Sequence, residues 1–231
     1  MAHTVHKIGN THTPRAKGAE GSPDGMIFIF VIIVFVLFIL IKRGSPGRKG
    51  RRAEEYVSRN FLKLDPSRYK ILNDVMLPSR GNSATTQIDH IVISNHGIFC
   101  IETKAHKGWI FGNAHQEYWT QIIFRYKGRF YNPLRQNYAH TRAMEDLLGA
   151  RLLKRKIVSL IAFPNADKLV ISGTDSVGGA HEILRTIESY VGLVYSDAER
   201  DEIYHLLEDS NISDDESREL HIREVRDLKR Y

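Results

Sequence analysis

Apolar positions follow three different rhythms along this chain. Residues 1–25 show no periodicity and are rich in Gly, Pro, Thr and His, which predicts a disordered tail. Met26–Ile41 is apolar without a break, and Gly44-Ser-Pro-Gly47 then reads as a linker. From residue 53 the elements become short and amphipathic. Val57, Phe61 and Leu64 form one stripe of a helix that starts at Ala53 and stops near Pro66. Alternation predicts strands at Tyr69–Leu77, Gln87–Ile93 and Ile98–Lys104, the last two joined around Asn95-His96-Gly97. A polar loop, Pro78–Thr85, separates the first two. Trp109–Phe111 and Tyr118–Phe130 predict further strands, with Lys127-Gly128 as a turn. Asn132-Pro133 predicts the start of a helix running to about Arg151, because proline suits a first helical turn. Ile157–Phe163 and Lys168–Ser172 read as strands, and the spacing is helical from Ala180 onward. This order predicts an α/β domain around a mixed sheet.

Sixteen apolar residues span roughly 24 Å as a helix, slightly short of the hydrocarbon core, and Lys42 and Arg43 can snorkel to close the gap. Residues 26–43 are therefore expected to form one transmembrane helix. A cleaved signal peptide fits less well, since the run starts late and no small-x-small site follows it. Lys42, Arg43, Arg48, Lys49, Arg51 and Arg52 crowd its C-terminal side, in the basic stretch 44–52 and just before it. They predict that the following domain is cytoplasmic, as in a single-pass protein of a bacterial inner membrane. The same cations suit anionic lipid headgroups.

Charge is divided unevenly. Residues 1–52 carry nine Lys or Arg against two Asp or Glu, residues 53–165 sixteen against nine, and residues 166–231 eight against sixteen. A basic middle is the better pointer to a polyanionic partner than the net charge of +6. The single cysteine, Cys100, excludes an internal disulfide and a cysteine-built zinc site.

The chemistry concentrates in the hairpin. With Asn95-His96 as a two-residue loop, Ile93 faces Ile98, Ile91 faces Cys100 and Asp89 faces Glu102. Lys104 points the same way, two residues further on. The reverse face carries Ile88, His90, Val92, Phe99, Ile101 and Thr103 as a core surface, with His90 as a core histidine. Two facing carboxylates repel, and a divalent cation removes that cost. A neighbouring ammonium suits a hydrolytic water or a negative transition state. The alternative is an ordinary cross-strand salt bridge. Elsewhere, Trp109 and Trp119 read as packing residues before base-stacking ones. Arg125, Lys127 and Arg129 would place three cations on one strand face, where a phosphate backbone or plain solvent suits them equally.

Several blocks resemble the NERD (nuclease-related) domain over about residues 48–165. They are Gly50 with Glu54, Leu72-Asn-Asp-Val75, Gln87-Ile-Asp-His90, Gly97-Ile-Phe-Cys-Ile-Glu-Thr-Lys104, Gly108-Trp-Ile-Phe-Gly112, Trp119 and Asn132-Pro-Leu-Arg-Gln136. The resemblance implies a restriction-endonuclease-like mixed β-sheet flanked by helices, of the PD-(D/E)xK superfamily, over residues 53–165. It implies Glu54, Asp89 and Glu102 as ligands of Mg²⁺ or Mn²⁺, and Lys104 and Gln136 as further catalytic residues. The family's Gly-Glu-x-Gly-Glu entry is here Gly50-Arg-Arg-Ala-Glu54, and His140 stands where a Q-x-x-x-Y motif has Tyr. The implied activity is phosphodiester hydrolysis, in DNA before RNA. The second reading is a catalytically silent module that tethers nucleic acid or protein at a membrane. Residues 166–231 read as an acidic, mostly helical region whose apolar positions, among them Ile183, Leu184, Ile187, Ile203, Leu206 and Leu207, suit short helices packing on the domain or on a partner, with Ser213 capping its last helix and its charge suited to masking a basic face.

Overall fold

The computed structural model describes residues 46–80 and 83–228. The tail 1–25, the apolar run 26–43 and the cations Lys42 and Arg43 lie outside the described residues. Among the described residues no helix is long and apolar enough to cross a membrane.

Helix α1 (Pro46–Phe61) begins seven residues before the expected Ala53. The basic stretch expected to be a linker is therefore its first turns, an entry that a leading proline favours. Sheet A joins β1 (Tyr69–Pro78), β2 (Thr85–Ser94), β3 (Gly97–Thr103), β7 (Val158–Ala162) and β9 (Val177–Gly178), in that order. The first three strands are antiparallel, and β7 and β9 are added parallel to β3. β3 is buried along its whole length, as expected of a central strand covered on both faces.

Two helical layers provide that cover. Val57 and Phe61 of α1 and Ile183 and Ile187 of α3 (Ala180–Glu188) pack on Val92, Phe99, Ile101 and Leu160. On the other face, Met144 and Leu148 of α2 (Pro133–Leu152) and Ile203 and Leu207 of α4 (Asp197–Asp209) pack on Ile91, Ile93 and Cys100. Burying such a side chain contributes roughly 1.5–3 kcal/mol, so these layers fix which way β2 and β3 face. The expected register holds: Ile93 pairs with Ile98 and Ile91 with Cys100.

One departure shapes the site. Leu72 and Val75 enter the same core, as do Ile88 and Ile91, although residues three apart on a regular strand face opposite ways. The alternation slips where Asp74, at φ 55°, lies across from Asp89. Ile88 therefore leaves the face shared by Val92, Phe99 and Ile101, against expectation. The β2–β3 ladder ends at His90–Ile101, so Asp89 and Glu102 are not a ladder pair.

A second sheet was not anticipated. Sheet B runs β6 (Tyr126–Tyr131), β5 (Tyr118–Ile123), β4 (Gly108–Asn113), β8 (Ala166–Ser172), with β8 parallel to β4. Its hairpin turns at Phe124-Arg125, with Phe124 at φ 52°, and Lys127-Gly128 lie inside β6. This register pairs Trp119 with Phe130, so both rings join Ile110 and Phe163 in a third core. Burial of that pair outweighs the turn preference of Lys-Gly. Gly112 lets Trp119 lie close, since a Cβ there would stand 2.4 Å from the ring.

Residues past 165 complete this body. β8 and β9 extend the two sheets, and α3 and α4 cover sheet A. Met76 of edge strand β1 bonds to the side chain of Asn211 and to the amide of Ile212, which blunts that edge. Helix α5 (Asp215–Leu228) follows, capped by Asp214 on the Ser217 amide in place of the expected Ser213.

Candidate active site

Glu102 is the last residue but one of the buried strand β3, with only 4% of its surface exposed. A bare carboxylate there would be expensive, and three side chains satisfy it. Lys104 Nζ donates to Oε1 at 2.6 Å, Gln136 Nε2 to the same oxygen at 2.8 Å, and His140 Nε2 to Oε2 at 3.2 Å. Lys104 also donates to Gln136 Oε1 at 2.7 Å, which closes a triangle. Burial pushes the Glu102 pKa up, but the Lys104 charge and the His140 hydrogen bond overcome it and hold it at about 2. Glu102 is ionised at neutral pH, with one of its four lone-pair positions left over.

Helix α2 supplies two of these donors because Gln136 and His140 are four residues apart, on one helical face. The helix is fixed at its start by Asn132, whose side chain accepts from the Leu134 amide and donates to the carbonyls of Ala114 and Gln116. Thr86 holds the far side of His140, with Oγ1 2.6 Å from Nδ1. Sequence reasoning missed His140 and Thr86. The i, i+4 spacing from Gln136 was the available signal, obscured because a tyrosine was the expected partner.

Asp89 has the opposite surroundings. It is half buried and borders an open cleft of about 540 Å³ with Glu54, Asn73, Asp74 and His90. Its Oδ2 accepts from the Thr103 amide at 2.7 Å, which replaces the ladder bond missing at the slip. Burial, then the charge of Glu102, then that of Glu54 drive the Asp89 pKa well above its ordinary value, against the pull of Thr103 and Lys104. Glu54 on α1 is also raised, by burial and by the charges of Glu102 and Asp74. Glu54 is half buried and Glu55 exposed, so the former is better placed to face the cleft wall. Asp74 is tied instead to Arg218 of α5 at 2.9 Å and to Gln87.

His90 is a satisfied core histidine, as expected. Asn73 Oδ1 accepts from Nδ1 at 2.7 Å, so Nε2 accepts from Thr103 Oγ1 at 3.1 Å. Burial lowers its pKa to about 4, and its ring stands edge-on to Phe61.

The structure thus brings Glu102, Lys104 and Gln136 into direct contact, and places Asp89 and Glu54 on the adjoining cleft. The expected three-carboxylate set is not drawn into one cage: among the described residues, no three His, Cys, Asp or Glu side chains are grouped to hold a metal ion. Two carboxylates that repel one another beside an open cleft still fit Mg²⁺ or Mn²⁺. Such ions take one or two protein carboxylates and complete their shell with water and substrate phosphate.

An α/β fold of two mixed sheets flanked by helices, with an acid–lysine–glutamine cluster at the end of a central strand, is consistent with a nuclease-like class of protein. The nuclease-related domain (NERD) family profile matches residues 49–164, and the chain belongs to that family. The chain is also 36% identical over 204 residues to an uncharacterized protein of Bacillus anthracis, a match covering 86% of this chain and 94% of that protein. A crystal structure of a protein of unknown function aligns over 77% of this chain and 97% of its own, with 12% identity and a TM-score of 0.30.

Proposed function

We propose that this chain is a divalent-metal-dependent nuclease of the restriction-endonuclease-like type that hydrolyses phosphodiester bonds in DNA. The observation that carries the reading is the contrast between two nearby acids: Glu102 stabilised as an anion by Lys104 and His140, and Asp89 left repelling Glu54 and Glu102 at an open cleft. Asp89 and Glu54 would hold Mg²⁺ or Mn²⁺, with Glu102 on its remaining lone pair. The bound ion would neutralise charge on the scissile phosphate and make a water more acidic. Lys104, fixed by Glu102 and Gln136, would present its ammonium to the negative charge that develops on phosphate oxygens. Gln136 keeps that ammonium aimed, and His140 keeps Glu102 aimed. The apolar run 26–41 would anchor the chain in a membrane with this domain on the cytoplasmic side, and Lys42, Arg43, Arg48, Lys49, Arg51 and Arg52 would meet anionic headgroups.

The test uses the full chain in mild detergent with plasmid and single-stranded DNA, in Mg²⁺, in Mn²⁺ and in EDTA. Metal-dependent cleavage should fall at least about 100-fold in Asp89→Asn and in Lys104→Ala. Tight DNA binding that leaves the substrate intact under every metal condition would instead establish the silent tethering module.

A further inference from the structure

Sheet B presents one face to its core, and among the described residues its other face is left uncovered. Strand pairing places Trp109, Tyr118, Tyr131, Lys127, Arg129 and Lys168 together on the uncovered face. The three aromatic side chains are 49%, 43% and 46% exposed, whereas Trp119, one residue along β5 from Tyr118, is fully buried on the opposite face. Large aromatic rings are not normally left in water side by side. Here two of them carry cations: Lys168 Nζ stands 4.9 Å from the Trp109 ring centre, and the Arg129 guanidinium 4.9 Å from that of Tyr118. Tyr118 and Tyr131 meet edge to face across the outer strand pair. Asp167, the one acid in these four strands, is the residue left out of register at the β4–β8 bulge. The face is therefore aromatic and positive, a chemistry complementary to unstacked bases on a phosphate backbone.

Its position relative to the site is set by short connections. Three residues separate Lys104 from Gly108 at the start of β4, so the two lie within about 14 Å at most. Tyr131, at the end of β6, precedes the Asn132 cap of the helix that carries Gln136 and His140. His106, in the first of these connections, stacks on Phe130 of the same sheet at 4.1 Å.

We infer that the outer face of sheet B is a stacking platform for single-stranded DNA, which delivers a strand to the carboxylate cleft. Bases would lie on Trp109, Tyr118 and Tyr131 while Lys127, Arg129 and Lys168 follow the phosphates. The inference deepens the nuclease reading and rests on it for the choice of DNA, but its test needs no cleavage.

The full chain in mild detergent and EDTA is titrated with fluorescein-labelled dT20, rU20 and a 20-bp duplex, each read by anisotropy, and with unlabelled dT20 read by intrinsic fluorescence. Trp109→Ala and Tyr118→Ala should each weaken dT20 binding about tenfold or more, with unchanged circular dichroism because both rings are exposed. Bound dT20 should quench tryptophan fluorescence. Trp109→Phe should keep the affinity and lose that quench, since Trp119 is buried. Removing Lys127 and Arg129 should lower the slope of log affinity against log salt by roughly 0.7 for each phosphate no longer neutralised. Wild-type affinity in Trp109→Ala and Tyr118→Ala would overturn the platform, as would tighter binding of the duplex or of rU20. A dimer that Trp109→Ala splits, with no change in dT20 binding, would reassign the face to a second copy of the chain. Cleavage that survives alongside any of these results would leave the nuclease reading intact. Quenching by dT20 without any cleavage in metal would do the reverse.

Discussion

The α2 side of sheet A and the α1 cleft each hold a carboxylate taken partly out of water, and the two titrate in opposite directions. Glu102 is the more buried but is held at about 2, because three donors from β3 and α2 face it. Burial is the largest push on Asp89, the charges of Glu102 and Glu54 add to it, and the Thr103 amide and the Lys104 charge only partly oppose it, so it moves up. Burial raises both acids, and only at Glu102 do the surrounding donors reverse that rise. The first arrangement is complete within the protein. The second is not: Arg51 and Arg59 line the cleft, yet the charges of Glu102 and Glu54 still act on Asp89 against that of Lys104.

Three measurements can break or sharpen this contrast. The largest effect is expected from Glu102→Gln, which leaves the part-buried Lys104 ammonium without its carboxylate and should cost about 4 kcal/mol of stability at pH 7 by chemical denaturation. A loss below about 1 kcal/mol would mean that the cluster is solvated and ordinary. Next comes the pH dependence of that loss. The folded pKa of Glu102, about 2, lies below its unfolded value of 4.5, so its contribution is fully present above the unfolded value. The gap between wild type and Glu102→Gln should therefore shrink by about 3 kcal/mol as pH falls from 4.5 toward 2. His90 acts over an earlier window. Its folded pKa of about 4 lies under 6.5, so the unfolded chain binds the proton first and stability declines between those values in wild type and variant alike. A gap independent of pH would contradict the depressed Glu102. The smallest effect has the opposite sign. Asp89→Asn keeps an acceptor for the Thr103 amide and removes the repulsion, so at pH 7 it should stabilise the apo chain by on the order of 1 kcal/mol. Destabilisation would show that the cations around Asp89 outweigh the repulsion from Glu102 and Glu54.

Much of this was legible in the amino-acid pattern. The β2–β3 register followed from alternation and a short loop, because a one-residue slip would have turned Ile91 and Ile93 out of their core. The contact of Lys104 with Glu102 followed from their two-residue spacing. The facing of Asp89 did not, because the slip beside Asp74 depends on which core receives Val75 and Ile88, a tertiary matter. Arg125, expected on a strand beside Lys127 and Arg129, sits in the turn for a similar reason: burial of Trp119 and Phe130 chose the hairpin register. His140 was visible as a residue but not as a partner of Glu102, since its role needs α2 and β3 to be side by side. In the acidic tail the helical spacing of Ile183, Leu184 and Ile187, then of Ile203, Leu206 and Leu207, was legible as packing helices; that sheet A receives them is again a tertiary matter.

Strand β8 begins two residues past the end of the nuclease-related match, yet it forms the parallel border of sheet B and seats Lys168 on Trp109. A lineage could not trade this tail for another without leaving β4 with an unpaired flank, open to adhesion between molecules. Substitutions over evolutionary time should therefore gather on the solvent side of the last helices, while β8 changes as slowly as β2 and β3.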